Sequence, residues 1–174
     1  LLVYSSISYM GYLTIVFATG TFEGFQMLFC YLIVYMFSGL CIWSVYMLTR
    51  LKKKDHIKQN KDLADFILLN KSNYMLAFIF MTALFSIAGI PPLIGFIAKL
   101  NIFMSAIANS MYIVAVISVL FSVLSTFFYL RIIKILYFEP LLVGCLYYSI
   151  NSSTVFLIVL IFNFFILSFI NPTI

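Results

Sequence analysis

Polar residues along this chain are gathered into short interruptions between long apolar blocks, rather than alternating with apolar ones. Five blocks stand out, at 1–19, 25–49, 73–108, 111–130 and 153–170. A turn from Gly20 to Gly24 that carries Glu23 separates the first two, and a polar loop covers 50–72. A Glu139-Pro140 break and a Tyr147-Tyr148 pair precede the last block. A helix rises about 1.5 Å per residue and a bilayer's hydrocarbon layer is about 30 Å thick, so roughly 20 apolar residues make one crossing. The pattern therefore predicts an all-α membrane protein of about five transmembrane helices in a single domain over 1–174. Within the loop, Leu63, Phe66, Ile67 and Leu69 fall at helical spacing, which predicts a short interfacial helix in 55–69.

The third block is too long for one straight crossing and too short for two. It is interrupted by Gly89-Ile90-Pro91-Pro92. Two spans joined there would each be short for a bilayer. One continuous helix would be about 54 Å long and would have to break or tilt. Charge decides between them. Seven of the ten Lys and Arg residues lie between Arg50 and Lys71, and Arg131 and Lys134 follow the fourth block. A single crossing of 73–108 puts those nine on one side of the membrane, as the positive-inside bias favours. The prediction is one broken span, with the basic loop inside, Leu1 starting on that side and Ile174 ending outside.

Composition narrows the class. The 174 residues are 65% hydrophobic and 9% charged, against roughly a quarter charged in a soluble domain. The net charge of +5 sits in one short loop, so it reads as a topology signal and nucleic acid is not an expected partner; lipid is. Cys30, Cys41 and Cys145 lie in apolar stretches without paired spacing and read as small buried hydrophobes, not as metal or disulfide chemistry. His56 in the basic loop reads as solvated, and Trp43 as packing or interface anchoring. No nucleophile–base pair, phosphate loop or metal-spaced cluster appears. The chain opens at Leu1 without an initiator Met or signal peptide, which suggests a processed or split product or an unusual start.

Inside the broken span lies the candidate chemistry. Each proline lacks an amide hydrogen and its ring clashes with the carbonyl four residues back. Backbone groups freed in hydrocarbon must meet protein or water, so helix breaks at membrane depth tend to line polar cavities. Gly89 loosens the chain upstream of the break, and Gly95 allows close approach to the second arm. Lys99 is the only charge within the spans. An intramembrane lysine is costly and should face protein or water, where desolvation works against the ammonium and makes proton exchange feasible. The alternative is a lysine snorkelling to the outer interface; the apolar run Phe103, Met104, Ala106 and Ile107 beyond it weighs against that. Every acidic residue lies in a loop or at a block end, so any counter-charge comes from another chain. Two polar stripes, Ser5-Ser8-Tyr9-Tyr12 and Ser118-Ser122-Ser125-Tyr129, read as helix-packing faces, with lining of a hydrated path as the alternative.

The segment Phe85-Ser-Ile-Ala-Gly-Ile-Pro-Pro-Leu-Ile-Gly-Phe-Ile-Ala-Lys99 resembles the broken helix of the antiporter-like subunits of respiratory complex I. The opening Leu1-Leu-Val-Tyr-Ser-Ser-Ile-Ser-Tyr-Met-Gly-Tyr12 resembles another helix of that family. The run Phe127-Phe-Tyr-Leu-Arg-Ile-Ile-Lys-Ile-Leu-Tyr-Phe138 is similar to its subunit 2 (bacterial chain N) branch rather than to the larger members. The resemblance implies the C-terminal portion of the antiporter-like fold, with Lys99 as a proton-channel residue and Gly89 to Pro92 as the helix break. It implies a subunit of a proton-pumping NADH:ubiquinone oxidoreductase with no redox chemistry on this chain. Flavin, iron–sulfur clusters and quinone belong to other subunits.

The resemblance covers only the last five spans of the family. The upstream spans, which carry further members of the proton path, are expected on a separate polypeptide beside the other complex I membrane subunits. The Phe-, Tyr- and Ile-rich usage resembles mitochondrially encoded proteins, so the expected place is the mitochondrial inner membrane with the basic loop in the matrix. An architectural complex I subunit, and a subunit of a multisubunit cation/proton antiporter, are the competing functions. The topology is directly testable: single cysteines from Lys54→Cys and Lys134→Cys should react with a membrane-impermeant maleimide from the same side. Labelling from opposite sides would mean that 73–108 crosses twice.

Overall fold

The computed structural model describes residues 2–53, 56–59, 69–70, 73–91, 93–138 and 145–148. Among the described residues five long helices carry the fold: α1 (Leu2–Thr19), α2 (Phe22–Leu48), α3 (Tyr74–Ala88), α4 (Ile94–Ala108) and α5 (Tyr112–Phe138). α3 and α4 lie on either side of the break in the third apolar block, the two arms expected of one broken span, and the block at 153–170 lies outside the described residues. α2 and α5 have 27 residues each, about 40 Å of helix and enough to cross hydrocarbon with turns to spare. The two 15-residue arms are about 22 Å each, so neither alone matches the bilayer. α5 runs two turns past position 130, because nothing in Arg131-Ile-Ile-Lys134 breaks a helix and both basic residues are good helix formers.

The termini show how the chain stops and starts its helices. Asn73 caps α3, its Oδ1 accepting the amides of Met75 at 3.1 Å and Leu76 at 3.3 Å; this satisfies two of the donors every helix start leaves free. Gly20, at φ +62, turns the chain between α1 and α2. α4 closes with Ser110 at φ 61, where the amides of Ser110 and Met111 donate to the carbonyls of Ile107 at 2.9 Å and Ala106 at 3.0 Å. That is a Schellman closure built on a residue other than glycine, and α5 begins two residues later.

Three short strands accompany the helices: β1 (Thr49–Lys53), β2 (His56–Gln59) and β3 (Cys145–Tyr148). β1 is central and pairs antiparallel with both neighbours, Lys53 opposite His56 and Leu51 opposite Leu146. The sequence pattern did not predict strands here, since a charged stretch with two turns' worth of lysines carries no period-2 apolar signal. The pairing is long-range and satisfies backbone groups where α2 has ended. Of the interfacial helix expected in 55–69, residues 56–59 are strand instead. Leu63, Phe66 and Ile67 lie outside the described residues, and Leu69 is buried.

The residues pack as two compact units, Leu1–Met36 with Phe85–Tyr129 and Phe37–Leu84 with Leu130–Ile174. The first has a core of Tyr9, Tyr12, Val16, Leu28, Tyr31, Ala98 and Ile102, flanked by Leu13, Tyr35 and Phe103. Its α5 segment presents Ile113, Leu120, Phe121 and Phe127 outward, each more than 60% exposed. A side-chain set of that kind is soluble only in lipid. The second unit buries Ile42, Val45, Ile79, Leu84 and Leu136, and Trp43 stands half exposed with its ring edge against Tyr46 at 5.8 Å. Cys41 is buried as expected, whereas Cys30 is exposed on α2, which corrects its assignment to the interior: its neighbours are apolar in sequence, but its side of the helix faces outward. Replacing the cap, Asn73→Ala, should lower the stability of the embedded chain by about 1 kcal/mol, read as an earlier thermal unfolding midpoint. Asn73→Asp should restore it.

Candidate functional site

Within the first unit, the last turn of α3, the break and the first turns of α4 form one polar feature. In an α-helix each amide donates to the carbonyl four residues back. Pro91 and Pro92 have no amide hydrogen, so covalent structure alone deprives the carbonyls of Ile87 and Ala88 of their helical donors. The two carbonyls before them are satisfied by a Schellman closure. Gly89 donates to Ser86 O at 3.1 Å and Ile90 to Phe85 O at 3.2 Å. This closure requires a left-handed residue at 89, and Gly89 supplies it at φ +80.

The remaining two carbonyls are met by a side chain. Lys99, on the second turn of α4, is 7% exposed, and its Nζ donates to Ile87 O at 2.8 Å and to Ala88 O at 3.0 Å. The lysine thus replaces both hydrogen bonds that the proline pair removes. It also brings a positive charge to the negative end of the α3 dipole. The Tyr12 ring lies 5.6 Å from Nζ, within the range of a cation–π contact. The lysine does not snorkel: its ammonium turns back into the helix break.

Two glycines make this approach possible. A Cβ on Gly89 would sit 3.0 Å from Lys99 Cδ and 3.3 Å from its Nζ. A Cβ on Gly95 would lie 1.9 Å from Ser86 O, so the first turn of α4 rests directly on the backbone of α3's last turn. Pro91 occupies the turn between the arms, and Pro92 lies outside the described residues. Among the described residues the only carboxylate is Glu23, in the first turn of α2. The partners of the Lys99 ammonium are carbonyls.

The two polar stripes meet along one groove of about 620 Å³, lined by Ser5, Ser8 and Tyr12 from α1 and by Ser118, Ser125 and Tyr129 from α5. Most of their hydroxyls are satisfied within their own helix: Ser8 donates to Ser5 O at 2.8 Å, Ser118 to Ala115 O at 2.8 Å, and Ser125 to Ser122 O at 2.8 Å. That is how a small hydroxyl residue sits in a transmembrane packing face. Tyr12 reaches across to Ser118 O at 3.5 Å, a long contact. Behind it the rings of Tyr9, Tyr31 and Tyr35 stack, with centroids 4.8 Å apart for Tyr9–Tyr31 and 3.9 Å for Tyr9–Tyr35. The Tyr9 hydroxyl is buried without a hydrogen-bond partner among the described residues.

Sequence reasoning missed Thr126. It sits between the stripe residues Ser125 and Tyr129 on α5, and its Oγ1 lies 3.0 Å from Ala88 O. The signal that points there is the proline rule itself, which names Ile87 and Ala88 as acceptors in need of donors. It does not say which distant residue supplies them.

Apolar helices interrupted at a proline pair, with a buried lysine capping the break, define a polytopic membrane protein with a broken helix. The sequence family described as the NADH:quinone oxidoreductase/Mrp antiporter transmembrane region matches residues 1–125, and the chain belongs to that family. It is 40% identical over 139 residues, 80% of its length, to NADH-quinone oxidoreductase subunit N of Parvibaculum lavamentivorans, of which it covers 28%. It is 35% identical over 173 residues, 99% of its length, to NADH-ubiquinone oxidoreductase chain 2 of Marchantia polymorpha, of which it covers 34%. Its fold matches a chain of respiratory complex I from Thermus thermophilus with a TM-score of 0.82 at 22% identity, over 100% of this chain and 38% of that one. The chain therefore spans about a third of the length of these relatives.

Gly95→Val should prevent the α4 turn from seating on Ser86, and Gly89→Ala should strain both the closure and the lysine's approach. The expected order of damage to folded yield in membranes is Gly95→Val, then Gly89→Ala, then wild type. Normal yield of the Gly95→Val chain would contradict the close approach.

Proposed function

We propose that this chain acts in proton translocation as a membrane-arm subunit of an NADH:quinone oxidoreductase, with Lys99 as the group that takes up and releases the proton. The observation that carries the reading is a buried lysine whose hydrogen bonds go to two main-chain carbonyls. Such a lysine is held under two opposed demands. Desolvation works against the ammonium, while charge-assisted hydrogen bonds and the α3 dipole favour it. A carboxylate partner would fix the proton on the amine; carbonyls leave it exchangeable.

The similarity to subunit N and chain 2 proteins supports the assignment to such a complex. In this reading the chain is a subunit of an enzyme and holds no redox group: flavin, iron–sulfur clusters and quinone are handled by other subunits. Its partners are the other membrane subunits and lipid. The counter-charge for Lys99 and the rest of the proton path lie beyond this stretch. The aromatic, isoleucine-rich composition supports a mitochondrial inner membrane location with the basic loop facing the matrix.

The same geometry favours a second reading. Because Lys99 satisfies the broken backbone, it could serve assembly alone, in an architectural subunit. Lys99→Ala separates the two in purified, assembled complex reconstituted into vesicles. The relay reading expects intact assembly and a severalfold drop in protons moved per NADH oxidised. Loss of assembly, with normal pumping by whatever complex does assemble, supports the architectural reading and contradicts the relay. Co-purification of the chain with a small complex that lacks NADH oxidation would instead identify a cation/proton antiporter.

A further inference from the structure

Thr126 shares an acceptor with Lys99, and its own geometry is that of a choice. Its Oγ1 lies 3.0 Å from Ala88 O and 2.8 Å from Ser122 O. A threonine hydroxyl has one hydrogen and can donate to only one of them at a time. The two acceptors are not equivalent. Ser122 lies four residues back on the same helix, so its carbonyl already has the Thr126 amide as a helical donor, and the Ser125 hydroxyl donates to it at 2.8 Å. Ala88 O has no helical donor, because the residue four positions on is Pro92. When the ammonium is seated, Ala88 O accepts from Lys99 at 3.0 Å and has a second lone pair open to the Thr126 hydroxyl, whereas Ser122 O is already twice served. When Lys99 gives up its proton and withdraws, Ala88 O would be stranded in an apolar interior without the Thr126 hydroxyl.

We propose that Thr126 is a positioning residue for proton release from Lys99: its hydroxyl donates to Ala88 O beside the ammonium and goes on serving that carbonyl when the lysine leaves. The proton count is conserved. The hydroxyl keeps its own hydrogen throughout, while the transferred proton leaves on the lysine side. The residue acts on the state in which the lysine has withdrawn, by holding one of the two carbonyls that state exposes. This rests on the reading of Lys99 as the proton carrier.

The test uses the assembled complex in sealed vesicles, with proton movement followed during NADH oxidation. Thr126→Val keeps the shape and removes the donor, and should slow coupled proton movement by about tenfold, the penalty of one stranded carbonyl. Thr126→Ser keeps the donor and should stay within about twofold of wild type. If the valine variant fails to assemble, Thr126→Ala makes the same deletion with less steric demand. Wild-type pumping by the valine or alanine variant, or a serine variant as slow as valine, overturns the proposal. Lys99→Ala, run in parallel, separates the two claims: normal pumping there removes the relay reading itself. Lost pumping there beside a normal Thr126→Val removes only the role of Thr126.

Discussion

Two hydrogen bonds from one ammonium hold the helix break of this protein together. A proline pair inside a membrane span leaves two carbonyls without donors, and hydrocarbon offers none. Lys99 supplies both, to Ile87 O and Ala88 O. The other features of the region follow from that requirement. Gly89 must adopt a left-handed conformation so that the preceding carbonyls close on themselves. Gly95 must lack a side chain so that α4 can bring its second turn within reach of α3's end. A cation at the end of α3 also meets the sign of its dipole. The break and the charge, each costly alone, offset one another.

That offset is conditional on protonation, and the proposed function rests on this condition. A neutral amine is a weaker donor than an ammonium, so the backbone at the break is best satisfied when the lysine holds its proton. In the proposed relay, release of the proton would loosen the seal, and whatever else can donate to those carbonyls would set the cost of release. Thr126 is within reach of one of them, and Tyr12 covers the ammonium from the side of α1. The tyrosine stack behind Tyr12 is dense and, among the described residues, leaves the Tyr9 hydroxyl unbonded. The interior beside the lysine is therefore polar in its atoms although apolar in its packing.

Much of this was legible in the sequence, for identifiable reasons. Apolar blocks bounded by Gly, Pro and charge gave the helices, because a bilayer imposes one length scale on all of them. The break announced itself through residues whose covalent structure forbids a helix. Lys99 stood out because charge in a span is rare and costly. What sequence could not provide was the partner of each group. The strand pairing of 49–53 with 145–148 is long-range and has no periodic apolar signal behind it. The meeting of the α1 and α5 stripes along one groove depends on how the helices pack, which spacing within each helix does not determine. Thr126 looked like any small residue on an apolar helix, since its role lies in a carbonyl 38 residues away. Cys30 was misplaced because an apolar neighbourhood in sequence does not say which side of a uniformly apolar helix faces outward.

Isotope-edited infrared spectroscopy reads directly whether the lysine donates to the stranded carbonyls. With a ¹³C label in the carbonyl of Ile87, which accepts from Lys99 at 2.8 Å, the labelled band in the membrane-embedded chain should move to higher frequency when Lys99 is replaced by methionine. A label in Phe85, whose carbonyl is served by the helix closure, should give the same band in both proteins. An Ile87 band indifferent to the loss of Lys99 would contradict the lysine's role at the break.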